Sequence, residues 1–197
     1  IHIERCIGLP GDVVSVKEGR AVINGKEREE DKTLCLRYMA YFSDYMRFRE
    51  ACKESSLFMN SDDYSISEDA VYMSLDKTML DRLRQGGVVD SLVFRQRGET
   101  RQKVFLADSC GWSFRHWGPY KLPYKGMRIE LTRENRMLYG PLLRGPERVA
   151  DPDKLTSYVF QKDYYFMLGD NRGNSLDSRF LGPIPSCCIE ARILHDD

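Results

Sequence analysis

Apolar and polar residues trade places with a period of two through the first part of the chain, which predicts short strands. Ile1, Ile3 and Arg5 fall on one face, and His2, Glu4 and Cys6 on the other. Gly8-Leu9-Pro10-Gly11-Asp12 interrupts the pattern as a tight turn, because proline fixes φ and glycine is free to take φ > 0. Val13, Val14 and Val16 resume the sheet. Arg20 to Lys26 reads as a hairpin closed by Asn24-Gly25, a pair suited to a type I′ turn. These features predict a meander of short antiparallel strands.

The pattern changes between about Glu27 and Gly111. Leu34, Leu36, Tyr38, Ala40 and Phe42 alternate as a strand, and Tyr45, Phe48 and Cys52 then follow at helical spacing. Ala70–Leu75 reads as a second strand. Asp76 can cap a helix holding Met79, Leu80 and Leu83, stopped by Gly86 or Gly87, and Val88–Phe94 reads as a third strand. The order β-α-β-α-β predicts a small α+β unit inserted into the β domain, with its aromatic residues in the core. Trp112, Phe114 and Trp117, with Gly118-Pro119, suit a loop returning to the main sheet, packed between the two domains. Met127–Leu131 is a strand, and Thr132 caps a short helix ended by Gly140-Pro141. Tyr158–Leu168 carries a last hairpin, and Ile189, Ala191 and Ile193 alternate in a closing strand.

The densest chemistry follows that hairpin. Tyr164-Tyr165-Phe166-Met167-Leu168 marks a strand buried on both faces. The eleven residues from Gly169 to Arg179 then hold no apolar side chain except Leu176, but two each of Asp, Arg, Asn and Ser. Charges at the edge of a core must pair or hydrogen-bond. Asp177 can pair with Arg179, and Asp170 with Arg172. Asn171 and Asn174 can close turns, which leaves Ser175 as a rigidly held hydroxyl. A polar turn that only staples a sheet corner has the same composition.

With 197 residues, 42% hydrophobic and 30% charged, the chain is globular and long enough to bury a core. Thirty basic and thirty acidic residues cancel, so nothing marks a nucleic-acid partner. No apolar run approaches the roughly 18–20 residues a membrane span needs, and no signal peptide opens the sequence. Ile1–Ile7 reads as the middle of a strand, so a fragment with its N-terminal part removed is expected. Six cysteines lack CxxC spacing, which argues against zinc; most are expected to be small buried hydrophobes. Adjacent Cys187 and Cys188 would face opposite ways on a strand.

Gly169-Asp170-Asn171-Arg172-Gly173-Asn174-Ser175-Leu176-Asp177-Ser178-Arg179, followed by Gly182-Pro183-Ile184-Pro185, resembles the C-terminal signature of type I signal peptidases. Arg5-Cys6-Ile7-Gly8-Leu9-Pro10-Gly11-Asp12 resembles that family's Lys-Arg-x-x-Gly-x-Pro-Gly-Asp block. The likeness is tight over residues 3–25 and 158–185, moderate over 112–132 and weak between 30 and 110. It implies a mainly β fold, an antiparallel signal-peptidase-like core over 1–26 and 112–197, with 27–111 as an inserted α+β cap domain. It implies a serine endopeptidase that removes signal peptides from exported preproteins, with no cofactor and no metal. The implied partners are preprotein signal peptides and a membrane surface reached through an upstream anchor, on which exposed aromatics such as Trp112, Phe114 and Trp117 could rest. The implied location is the extracytoplasmic, periplasmic face of a bacterial inner membrane.

The family's Ser-Lys dyad needs a lysine held neutral by burial, so that it can take the serine proton. Glu4 stands at that lysine's position, and the nucleophile's motif, Ser-x-Ser-Met-x-Pro, is not among these residues. The expectation is a catalytically impaired homologue that binds extended peptides or a partner, or a structural envelope module. A carboxylate tuned upward at Glu4, or His2 beside it, would be the substitute base. His116 and His195 stand in no motif. By resemblance, Ser175 is the hydroxyl that orients the base and would here face Glu4. Asp170, Arg172, Asp177 and Arg179 are its structural supports.

Overall fold

The computed structural model describes residues 2–29, 33–54, 66–67, 69–94 and 103–193. The chain divides into two compact units. One comprises Ile1–Arg28, Gln102–Leu168 and Leu176–Asp197, and the other Glu29–Arg101 and Gly169–Ser175. In chain order the strands are β1 (Arg5–Gly8), β2 (Val13–Lys17), β3 (Arg20–Ile23), β4 (Lys26–Glu27) and β5 (Leu36–Tyr41). Helix α1 (Tyr45–Glu54) precedes β6 (Ile66–Ser67) and β7 (Ala70–Leu75), and α2 (Lys77–Gln85) precedes β8 (Ser91–Phe94). Then come α3 (Ala107–Cys110), β9 (His116–Lys121), β10 (Arg128–Glu130) and α4 (Arg133–Arg144). The chain closes with β11 (Ser157–Val159), β12 (Tyr164–Leu168), α5 (Ser178–Leu181), β13 (Ile184–Pro185) and a 3-10 turn at Ser186–Cys188.

The first unit holds three antiparallel sheets, ordered β4-β3-β2-β9, β1-β12-β13 and β10-β11. Asp12 fixes the turn between β1 and β2. Its carboxylate accepts the Leu9 N–H at 2.9 Å, and its own N–H donates to the Leu9 carbonyl at 3.0 Å. Asn24 (φ 51°) and Gly25 (φ 80°) make the left-handed pair that a type I′ hairpin requires. Between β1 and the core there is no room at Gly8: a Cβ there would lie 2.6 Å from Val14 Cγ2 and 2.8 Å from Leu122 Cδ1. One apolar cluster runs through this unit, from Ile7, Val14 and Val16 to Trp117, Tyr120, Tyr139, Phe160, Tyr164 and Phe166.

The second unit is a four-stranded antiparallel sheet, ordered β6-β7-β5-β8, carrying α1 and α2. Phe48, Cys52 and Leu83 from the helices pack with Ala40, Phe42, Val71, Met73 and Leu75 in a separate cluster. Asp76 caps α2 by accepting the Met79 N–H at 2.8 Å, and Gly86 closes it.

Several expected elements differ. The first strand begins at Arg5, with His2–Glu4 irregular and Ile3 77% exposed, while Ile1 lies outside the described residues. The aromatic segment is a loop only over 112–115, and β9 takes over from His116. Trp117 and Tyr120 sit on β9 against β2, Phe114 is buried in the core of the first unit, and Trp112 packs against that core. Gly118-Pro119 is tolerated because the register shifts there. Gly118 takes φ 84°, and a Cβ would lie 2.4 Å from the Val14 carbonyl oxygen.

Helix α4 runs through Gly140-Pro141 to Arg144, since its last turn buries Leu142 and Leu143 in the core. That burial outweighs the one hydrogen bond a proline forfeits. Tyr158–Leu168 is not a hairpin: β11 pairs with β10, whereas β12 pairs with β1 and β13. The closing strand over Ile189–Ile193 does not form. Only Cys52 of the six cysteines is buried; Cys35 and Cys110 are intermediate, and Cys6, Cys187 and Cys188 are exposed.

Candidate functional site

Strand β12 delivers the polar signature. Tyr164, Phe166 and Leu168 are fully buried, and Tyr165 and Met167 are half-buried, so one face is deep and the other partly covered. It lies between β1 and β13, with Arg5 paired to Leu168 in an antiparallel register. Two chain positions follow from that register. Glu4 comes just before Arg5, and Gly169 just after Leu168. Glu4 is partly buried and His2 is exposed. The outer part of β1 is tied down by Arg28, whose guanidinium donates to the carbonyls of Cys6 and Ile7, each at 3.2 Å.

The end of the signature is anchored in the first unit by one ion pair. Arg179 Nε donates to Asp177 Oδ1 and Nη2 to Oδ2, both at 2.8 Å, and both side chains are 0% exposed. A third donor, Arg179 Nη1, reaches the Phe114 carbonyl at 3.3 Å. Asp177 also caps α5, accepting the Arg179 N–H at 3.1 Å. Two planar charged groups joined in this bidentate way hold each other's orientation as well as their charge. Ser178, also fully buried, accepts the Met167 N–H at 2.9 Å and so ties the end of the signature back to β12.

The seven residues Gly169–Ser175 belong to the second unit and are gripped chiefly by the segment leading into β5. Thr33 Oγ1 donates to Asp170 Oδ2 at 2.6 Å, the Cys35 N–H donates to the Asp170 carbonyl at 2.9 Å, and the Arg172 N–H donates to the Cys35 carbonyl at 3.1 Å. Cys35 and Asn171 form a short parallel bridge. Ser74 Oγ lies 3.5 Å from Asn171 Oδ1, and the Asn174 N–H closes a turn on the Asn171 carbonyl at 3.0 Å. Gly173 lies against Arg37, where a Cβ would come within 2.5 Å of Nε. The Arg37 guanidinium in turn stacks over Tyr72 at 5.3 Å. Arg172 is buried at 2% exposure, and Ser175 is half-buried.

Thr33, Cys35, Arg37, Ser74 and Arg28 carry no motif. Thr33 is 137 residues from Asp170, so no local pattern announces it. His116 is exposed on β9 and pairs with Glu18 at 2.9 Å. Glu18 also bonds Arg115, and that hydrogen bond, ahead of the others, holds the Glu18 carboxyl below its ordinary range. His195 lies outside the described residues. A cleft of about 280 Å³ in the second unit, lined by Arg47, Glu50, Arg82 and Leu83 among others, includes none of the signature residues.

A mainly antiparallel β architecture, with a strand running into an ion-pair-stapled Gly-Asp-Asn-Arg segment, defines a peptidase domain of the signal-peptidase kind. The chain belongs to the signal peptidase family, peptidase S26, whose family model matches residues 2–89 and 116–194. Members of this family are hydrolases whose substrates are signal peptides. No curated protein and no solved structure matches the chain significantly. No helix among the described residues is long and apolar enough to cross a membrane.

Proposed function

We propose that this chain is the extracytoplasmic part of a signal peptidase I homologue that binds signal-peptide C-regions as extended strands without cleaving them. One observation carries the proposal: Glu4 stands immediately before Arg5, the first residue of the strand whose partner β12 leads directly into the signature. In the family that position belongs to the lysine base. A general base works best when its pKa lies near the operating pH. A lysine desolvated by apolar walls is brought down toward that range, whereas an ordinary glutamate titrates near 4.3 and is a much weaker proton acceptor. The substitution therefore removes the base while leaving the fold and its staple in place.

In this reading Ser175 is the hydroxyl that, by family resemblance, would orient a base. Asp170, Arg172, Asp177 and Arg179 shape the loop around it and do not react. The β core over 1–26 and 112–197 carries the site, and 27–111 is an inserted cap. An extended peptide can add to a sheet edge through main-chain hydrogen bonds, which needs neither half of a dyad. An anchor upstream holds the domain at the periplasmic face of the membrane. The reading needs no cofactor.

The test is a titration of the membrane-anchored protein with fluorescent peptides ending in a small-residue Ala-x-Ala C-region, followed by anisotropy and by mass analysis of the products. Saturable binding with the peptide left intact is expected, and a scrambled peptide should not compete. Absence of binding would leave a structural envelope module as the better account. Cleaved peptide would show that a base is present after all.

A further inference from the structure

Cys187 and Cys188 sit side by side on the Ser186–Cys188 3-10 turn, and both are exposed. The turn is rigidly mounted. The Ser186 N–H donates to the Asp163 carbonyl at 2.8 Å, the Ile189 N–H to the Ser186 carbonyl at 3.2 Å, and Pro185 just before it pairs with Tyr164 of β12. Successive side chains on a 3-10 turn stand about 120° apart, so the two thiols do not point to opposite faces as they would on a strand. Burial among protein atoms pushes the Cys188 thiol up. The adjoining Cys187 adds to that shift, and the Lys162 ammonium opposes it. Cys188 is accordingly a thiol, not a thiolate, at neutral pH. The other four cysteines have no cysteine beside them in sequence, and Cys52 is closed off from solvent.

What such a pair can hold follows from its geometry. A trans peptide keeps adjacent Cα atoms about 3.8 Å apart, below the roughly 4.4–6.8 Å that unstrained disulfides span. A direct S–S bond is therefore disfavoured, while an atom inserted between the two sulfurs enlarges the ring and relieves it. Structural zinc needs about four ligands, and among the described residues no group of three or more His, Cys, Asp or Glu could hold a metal. An atom satisfied by two sulfurs fits instead. We infer that Cys187 and Cys188 form a vicinal dithiol site for trivalent organoarsenicals, which they capture as a cyclic dithioarsonite.

The step balances without any oxidant. Two As–S bonds form, the As–O bond of the arsenoxide breaks, and the two thiol protons leave with that oxygen as one water. Arsenic stays trivalent. The second As–S bond closes within the turn, so it faces an effective thiol concentration that a dilute monothiol cannot match.

The site is independent of the peptidase reading, and its test is too. The reduced protein is treated with one equivalent of phenylarsine oxide, then assayed for thiols reactive toward a chromogenic disulfide and by intact mass. The expected result is one phenylarsenic adduct and loss of two reactive thiols together. The adduct should be reversed by 2,3-dimercaptopropanol but not by an equal amount of 2-mercaptoethanol. Cys187→Ser and Cys188→Ser should each abolish the stable adduct while leaving tryptophan fluorescence unchanged. No adduct on the native chain would overturn the inference. So would an adduct that survives in either variant, or one that the monothiol removes.

Discussion

Asp177→Ala is expected to destabilise the first unit by about 3–5 kcal/mol, the range for a buried ion pair that loses one partner. In the native fold the carboxylate accepts Arg179 Nε and Nη2, each at 2.8 Å, and the Arg179 N–H at 3.1 Å, with neither side chain exposed. Truncation strands the guanidinium in the core without its carboxylate, although Nη1 still reaches the Phe114 carbonyl at 3.3 Å. It also removes the cap of α5, which alone is worth about 1 kcal/mol. The stranded charge dominates, because its desolvation is no longer offset. At roughly 2–4 °C per kcal/mol for a chain of this size, Tm should fall by about 6–20 °C.

The assay is urea and thermal unfolding followed by tryptophan fluorescence. The chain has two tryptophans, and both Trp112 and Trp117 lie in or against the core of the first unit, so the signal reports that unit. The control is the double variant Asp177→Leu, Arg179→Met. With no charge left to strand, it should recover most of the loss apart from the cap. A single variant within 1 kcal/mol of native, or a double variant as unstable as the single, would refute this account of the staple.

Two further predictions concern different parts of the molecule. Tyr139 is held protonated up to about 12 by burial, and burial raises Tyr120, Tyr158 and Tyr164 as well, with Glu147 accepting from Tyr158 at 2.6 Å and Tyr164 at 2.8 Å. Unfolded phenols ionise near 10, so this stability is complete below pH 10 and drains as pH rises through 12, at about 1.4 kcal/mol per pH unit per phenol. Part of the tyrosinate absorbance should therefore appear only together with the loss of tryptophan fluorescence; full titration of all eleven tyrosines before unfolding would contradict it. Thr33→Val removes the hydroxyl that bonds Asp170 and should speed amide exchange across Gly169–Ser175 several-fold, with β2–β3 exchange unchanged; equal rates in the two proteins would show that Thr33 does not hold the loop.

Local patterns carried the local structure. Alternation at Val14 and Val16, the Asn24-Gly25 pair and the caps at Asp76 and Thr132 each act within a few residues, and the chain obeys them. Where a distant partner decides, the pattern misleads. Gly118-Pro119 reads as a loop until β2 is seen to accommodate it at a register shift. Pro141 reads as a helix stop until Leu142 and Leu143 are seen to be buried beyond it. Tyr158 and Tyr164 look like arms of one hairpin, but each strand finds its partner elsewhere. The site divides the same way. The spacing of Asp177 and Arg179 shows two charges that need each other, whereas the grip of Thr33 and Cys35 on Asp170 joins residues with no sequence signal between them.

The most direct measurement is cleavage of a model preprotein by the full-length, membrane-anchored protein, native against Glu4→Lys. If the carboxylate at Glu4 is what silences the site, the native protein leaves the preprotein intact and the lysine variant produces mature product. Native protein that cleaves, at a rate Glu4→Lys does not raise, would contradict it and make this chain a working peptidase with a different base.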